Sequence, residues 1–331
     1  MAFSTRKKIR EFVLGDMSLV PPVLLIVLGV VLLSNRLILD AIEQDTINTP
    51  IFTNFRQSQY PVLKDVFGMQ TVQAQDSSLS ATDAAYPNIT AQAAIIMDDD
   101  AKVILFAKNP QFRFSLASTT KIMTALIGID HYAPSDELVN QSDIVEGSVV
   151  GFRKGETVSF ENLLYALLLP SGNDAALMIA QNYPGGQSAF VQSMNEKAKK
   201  YHLDNTHFND PAGLDDDLDY TTVVDLARLV SIAMHNPTFA RIVGTKNTVI
   251  TTDNGQRSYE LENLNKLLGQ DGVVGVKTGT TEGAGEVLTT FLNRDGHRYV
   301  IIVMKSNDRF TDTAILIRHL AENIIYLPTH Q

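Results

Sequence analysis

The sequence predicts an α+β protein: one antiparallel sheet, built from both ends of a domain, beside an all-helical lobe and preceded by an N-terminal transmembrane helix. Three observations predict it. Short apolar runs bounded by turn residues stand at 93–106 and again at 248–305, which is the pattern of strands. The stretch between them carries apolar residues at three- and four-residue spacing, which is the pattern of helices. Near the start, Met17 to Leu33 carries no charge, and at ~1.5 Å per residue it reaches the lower edge of a bilayer span.

Arg6, Lys7, Lys8 and Arg10 precede that stretch. The positive-inside rule then makes 1–16 a cytoplasmic tail, 17–36 a signal anchor, and everything beyond extracytoplasmic. Ser34-Asn35-Arg36 is a poor cleavage site and Val72-Gln73-Ala74 lies too late, so an uncleaved anchor is expected, with a cleaved signal peptide as the alternative. Residues 37–83 are rich in Gln, Thr, Ser, Asn and Asp and show no sustained period. They read as a stalk, with a reach of ~35–40 Å as a flexible coil.

The folded domain spans 84–331. Ala93–Met97 and Val103–Phe106 form a hairpin across Asp98-Asp99-Asp100. That triplet reads as a solvated turn, since no Glu or Gly follows at calcium-loop spacing. Helices are expected at Lys121–Ile129, Phe160–Leu169, Ala175–Gln181, Ser188–Tyr201 and Thr222–Met234, with Pro170, Pro184, Pro211 and Pro237 as punctuation. Strands return at Thr248–Thr252, Ser258–Leu261, Val273–Lys277, Gly285–Asn293 and Arg298–Lys305. Arg294-Asp295-Gly296 makes the last turn, and a helix from Asp308 to Tyr326 ends the domain.

Composition excludes several chemistries. There is no cysteine, hence no disulfide, thiol catalysis or Cys-type zinc site. The net charge is −10, all of it from residues 80–331, where 20 basic residues face 30 acidic ones, so no nucleic-acid partner is expected. The seven histidines include no His-x-x-x-His pair, and no metal or other cofactor is expected.

Three motifs carry chemistry. Ser118-Thr119-Thr120-Lys121 opens a helical pattern, so Ser118 and Lys121 share a face. A hydroxyl there becomes a nucleophile if the amine is held neutral. Ser193–Lys197 imitates this motif with one residue of slack and reads as surface helix. Ser171-Gly172-Asn173 follows Pro170 at an inter-helix corner, where on its own it reads as a helix cap. Lys277-Thr278-Gly279-Thr280 ends an apolar run. On an edge strand it offers a cation, a hydroxyl and a side-chain-free Gly279 that lets another backbone approach.

In this order the three form the Ser-x-x-Lys, Ser-x-Asn, Lys-Thr-Gly set of penicillin-binding proteins and serine β-lactamases. The chain resembles the D-alanyl-D-alanine carboxypeptidases, the low-molecular-mass penicillin-binding proteins, over roughly 90–326. Leu168–Ala176, Met194–Ala198, Asn205–Phe208, Pro211–Leu214 and Gly275–Thr281 carry the likeness. The resemblance implies the β-lactamase/DD-peptidase-like fold, and a domain outside a bacterial cell membrane acting on stem peptides that end in D-Ala-D-Ala, with β-lactams as inhibitors. It implies Ser118 as nucleophile, Lys121 as base, Ser171 as proton relay and Asn173 as the group orienting substrate and Lys121. Lys277 and Thr278 would hold the terminal carboxylate, and the backbone N–H groups of Ser118 and Thr280 the oxyanion. Lys121 is expected to have a lowered pKa, being beside Lys277 and partly desolvated.

With about five residues after Tyr326, the family's usual C-terminal β-rich domain and amphipathic helix are expected to be missing, and the N-terminal anchor is expected to take over attachment. Three alternatives stay open. A DD-endopeptidase would use the same residues. A class A β-lactamase would need a further glutamate, for which Glu161 and Glu146 are the nearest candidates and Glu161 stands in the wrong order. A non-catalytic wall-binding scaffold would not need the motifs intact.

Overall fold

The computed structural model describes residues 86–324, apart from 143–145, 215–217 and 253–254. The expected tail, anchor and stalk (1–83) lie outside the described residues, as do the acidic residues 215–217. Among the described residues no helix is long and apolar enough to cross a membrane.

The main sheet has five antiparallel strands, and four short strands pair outside it, β3 (Phe114–Ser115) with β6 (Tyr220–Thr221) and β4 (Glu137–Val139) with β5 (Thr157–Ser159). Strands β1 (Ala93–Asp98) and β2 (Val103–Lys108) come from the start of the domain. Strands β9 (Val273–Thr281), β10 (Gly285–Arg294) and β11 (His297–Ser306) come from its end, and the order across the main sheet is β2-β1-β11-β10-β9. The two ends join where β1 pairs with β11, Ile95 opposite Ile302 and Ile96 opposite Ile301. Every residue of β1 is buried, because helices cover both faces of the sheet. Leu316, Ile317 and Leu320 of α7 (Arg309–Asn323) fill one side against Ile96, Leu288, Leu292, Ile301 and Val303. The β10–β11 turn places Asp295 at φ 52° and Gly296 at φ 82°, the pair of positive values a two-residue hairpin requires.

Asp312, near the start of α7, ties the two ends together. Its buried carboxylate accepts from Thr90 N, Ala91 N, Thr90 Oγ1 and Ser306 Oγ at 2.5–2.9 Å. Asp312→Ala leaves those donors unpaired in the interior and is expected to cost about 3–5 kcal/mol. Urea denaturation measures it, and a loss under about 1 kcal/mol would mean water replaces the carboxylate.

The helical lobe is arranged around α1 (Lys121–His131), whose first eight residues are buried. Packed on it are α2 (Phe160–Leu168), α3 (Asn173–Gln181), α4 (Gly186–Lys200) and α5 (Val223–Met234). A helix apolar on all sides is stable only when enclosed in this way. Gly128 fits because a Cβ there would lie 2.7 Å from the Phe160 ring.

Four expectations need correcting. The strands at 248–261 do not join the main sheet; β7 (Asn247–Thr251) and β8 (Ser258–Glu262) form a separate two-stranded ladder. Pro237 begins a helix, α6 (Pro237–Val243), capped by the Asn236 side chain on Thr238 N and Phe239 N; proline is well suited to a first helical position. The last helix ends at Asn323 rather than Tyr326. Finally, Asp98-Asp99-Asp100 is not a solvated turn. Asp98 and Asp99 are buried; Asp98 accepts two turn N–H groups, Asp99 pairs with Lys102, and Asp100 with Arg298.

Candidate active site

A 3₁₀ turn, Ala117–Thr120, runs directly into α1, which puts Ser118 and Lys121 on either side of the junction. Ala117 has φ 46°, a left-handed conformation that costs a residue with a Cβ about 1–2 kcal/mol. The contacts around it hold it there. A Cβ on Gly213 would lie 1.8 Å from the Ala117 carbonyl oxygen, so this turn packs against the 210–214 turn with no room for a side chain. From the other side comes β9, where a Cβ on Gly279 would lie 3.1 Å from Ala117 Cβ and 3.2 Å from Ser118 N. Gly279 was expected to admit another backbone. The backbone it admits is the protein's own, at the Ser118 turn.

Lys121 is fully buried. Its Nζ donates to Ser118 Oγ at 2.9 Å, Asn173 Oδ1 at 2.7 Å and Ala212 O at 2.6 Å. Two of these acceptors are carbonyl oxygens with no proton to give. In the neutral amine they occupy both N–H bonds, and the lone pair is left facing the Ser118 hydroxyl. Burial lowers the Lys121 pKa to about 7, with Asp210, Asp174 and Asp219 pulling the other way. The expected direction holds and so does one of its two expected causes, desolvation; the charge of Lys277 is not among the causes. Desolvation does the work, and the repulsion between the two lysines falls on Lys277.

The 210–214 turn was legible as a motif but not as part of the site. Asp210 accepts from Ala212 N, Gly213 N and Leu214 N, which aims the Ala212 carbonyl at Lys121 and the Pro211 carbonyl at Thr124 Oγ1. Asp210→Asn keeps the Oδ1 acceptor and removes a charge that holds the Lys121 pKa up. The acid limb of the acylation profile is therefore expected to move to lower pH. A limb that stays in place would show that Asp210 acts through geometry alone.

Ser171 and Asn173 cap no helix. The N-cap of α3 is Gly172, which makes no side-chain cap bond. Ser171 stands at φ 68°, and its hydroxyl is buried with no hydrogen-bond partner among the described residues. Asn173 spends its oxygen on Lys121 and one amide hydrogen on Glu146 O at 2.6 Å. Asp174 fixes the segment above it by accepting from the N–H groups of Val150, Gly151 and Phe152. Of the two glutamates weighed above, Glu161 is paired with Arg241 on the surface, and Glu146 meets the site through its backbone, its side chain being exposed.

Strand β9 is an edge of the sheet, as the third motif anticipated. Lys277 is 1% exposed, and its Nζ donates to Thr278 O at 2.8 Å. Burial, then the charges of Lys121 and Arg309, hold its pKa well below the ordinary lysine range. Arg309, from the start of α7, donates to Gly279 O at 2.8 Å and to Thr280 Oγ1. Sequence reasoning missed it because it lies outside every motif. The Ser193–Lys197 imitation is surface helix: Ser193 bonds Ala189 O and Lys197 pairs with Asp130. A cavity of 550 Å³ at the start of β9 includes none of the motif residues, so it is chemistry that marks the site.

The family model for D-alanyl-D-alanine carboxypeptidases matches residues 80–308. The chain belongs to that family. It is a low-molecular-mass penicillin-binding protein of the serine DD-peptidase superfamily, acting on peptidoglycan. Among its relatives are a D-alanyl-D-alanine endopeptidase of Escherichia coli (strain K12), 29% identical over 73% of this chain and 80% of the relative. The D-alanyl-D-alanine carboxypeptidase of Streptomyces sp. (strain K15) is 32% identical over 68% of this chain and 84% of its own. The crystal structure of the Streptomyces K15 DD-transpeptidase superposes with a TM-score of 0.67 at 31% identity, covering 70% of this chain and 97% of that one.

Proposed function

We propose that this DD-peptidase is a D-Ala-D-Ala carboxypeptidase, and that Ser118 forms an acyl-enzyme with release of the terminal D-alanine. The observation that carries this reading is the Lys121 amine, fully buried and placed 2.9 Å from Ser118 Oγ with two carbonyls taking its other bonds. Lys121 withdraws the Ser118 proton as Oγ attacks the carbonyl between the two D-alanines. The buried Ser171 hydroxyl, which has no competing partner among the described residues, passes a proton to the leaving amine. Asn173 holds Lys121 and has one amide hydrogen left for the substrate. The N–H groups of Ser118 and Thr280 take the developing oxyanion, and Lys277, Thr278 and Arg309 provide for the terminal carboxylate. Residues 17–36 would anchor the domain outside the cytoplasmic membrane.

A DD-endopeptidase is the second reading, favoured by relatives of that name at 29% and 30% identity. The test incubates the whole chain, wild type and Ser118→Ala, with a fluorescent penicillin and then with two substrates, a D-Ala-D-Ala pentapeptide and a cross-linked dimer. Label on wild type alone, with D-alanine released from the pentapeptide, is the expected result. Cleavage of the dimer alone would move the assignment to endopeptidase. Rapid penicillin turnover would make it a β-lactamase, and a folded chain that neither labels nor cleaves would be a binding scaffold.

A further inference from the structure

Lys277 carries a buried amine with no counter-ion among the described residues. It makes no ion pair among the described residues, and its Nζ bonds only to a peptide carbonyl, Thr278 O. The groups whose charge bears on it are both basic, Lys121 from α1 and Arg309 from α7. The nearby carboxylates act elsewhere: Asp210, Asp174 and Asp219 on Lys121, Glu286 and Asp308 on Arg309. An ammonium in such a place is unstable unless an anion arrives to pair with it.

We propose that Lys277 is neutral before a ligand binds and takes up a proton as the ligand's carboxylate enters, so that the site binds the anion and the proton together. This rests on the reading of the cleft as a DD-peptidase site, and burial of the amine supports it by pushing its pKa down. Two pH demands then oppose each other at one site. Carboxylate binding weakens as pH rises, because the proton becomes scarcer. Attack by Ser118 strengthens as pH rises, because Lys121 must be neutral. Proton uptake also depends on the carboxylate, since a ligand with an amide or ester in its place gives the proton nothing to pair with.

Acylation by benzylpenicillin tests this without a proton balance of its own. The Ser118 Oγ–carbon bond forms, the lactam C–N bond breaks, and the serine proton ends on the lactam nitrogen. Any net uptake therefore reports a side chain changing its protonation state. The whole chain is mixed with benzylpenicillin at about pH 8 in weak buffer with an indicator dye, and uptake is divided by the label counted on a gel. The wild type is expected to take up about one proton per acyl-enzyme and Lys277→Arg close to none, because a guanidinium is already charged. Equal uptake in both would place the proton on another group, and no uptake in the wild type would show Lys277 charged beforehand; either overturns the proposal. If Lys277→Arg labels too slowly to count, penicillin methyl ester on the wild type decides. Uptake equal to that with the free acid overturns the proposal, and its absence upholds it. A folded wild type that never labels removes the DD-peptidase reading, and this inference with it.

Discussion

Lys121→Met lowers the rate of acylation by penicillin by roughly 10²–10⁴-fold, the range a positioned general base contributes, while the fold survives. Methionine keeps the volume and removes the amine. Asn173 Oδ1 and Ala212 O lose their donor, at about 1–3 kcal/mol for each buried acceptor. Against that loss stands the removal of an amine held in the interior at the cost of its charge. Lys121→Arg decides between base and hydrogen-bond post. A guanidinium can donate to all three oxygens but does not give up a proton near neutral pH. Arginine is therefore expected to be as inactive as methionine, and activity retained with arginine would place the base elsewhere. In the wild type the acid limb is centred at about pH 7, where Lys121 titrates. Below that the amine is protonated and the rate falls about tenfold per pH unit. A profile flat to about pH 5 would falsify Lys121 as the base.

What could be read from the sequence had local or periodic causes. The joining of the two chain ends in one sheet followed from the apolar runs at 93–106 and 248–305, although 248–261 form a separate ladder and the edge position of β9 was not set by any expected strand order. Ser118 and Lys121 could be paired because a helix start fixes their spacing. The reading failed where long-range contacts decide. Local pattern alone reads Asn173 as a helix cap; that its oxygen faces a lysine 52 positions away was implied only by the resemblance. Nor could spacing show that Ala212 supplies a carbonyl from 91 positions away, or that Arg309 reaches Gly279 from a separate helix. Pro237 misled for another reason: proline stops one helix as readily as it starts the next, and only the Asn236 cap distinguishes the two. The Lys121 pKa has the expected sign and one of its expected causes, desolvation; that burial outweighs the neighbouring Lys277 is not visible in a sequence.

The other large effect is expected at a residue that bears no functional group. Gly213→Ala should abolish penicillin labelling and lower stability by about 2–5 kcal/mol, combining overpacking with the left-handed penalty. Gly213 stands at φ 75°, and its new Cβ would lie 1.8 Å from Ala117 O and 2.9 Å from Thr120 Oγ1. Neither Ala117, itself in the left-handed region, nor the Asp210-braced turn can yield alone. Whichever moves, the Ala212 carbonyl leaves Lys121 or the Ser118 turn leaves β9. Gly296→Ala separates backbone strain from collision. Its φ is 82°, yet nothing lies within 4 Å of the added Cβ, so it should cost only about 1–2 kcal/mol and label normally. Gly279→Ala falls between them, since contacts of 3.1 and 3.2 Å to Ala117 Cβ and Ser118 N ask for a shift of a few tenths of an ångström. Labelling should therefore fall in the order Gly296→Ala, Gly279→Ala, Gly213→Ala, each compared with its melting temperature. If Gly213→Ala melted low but labelled fully, the 210–214 turn would matter to the fold alone. The site would then tolerate movement of the carbonyl that now holds its base.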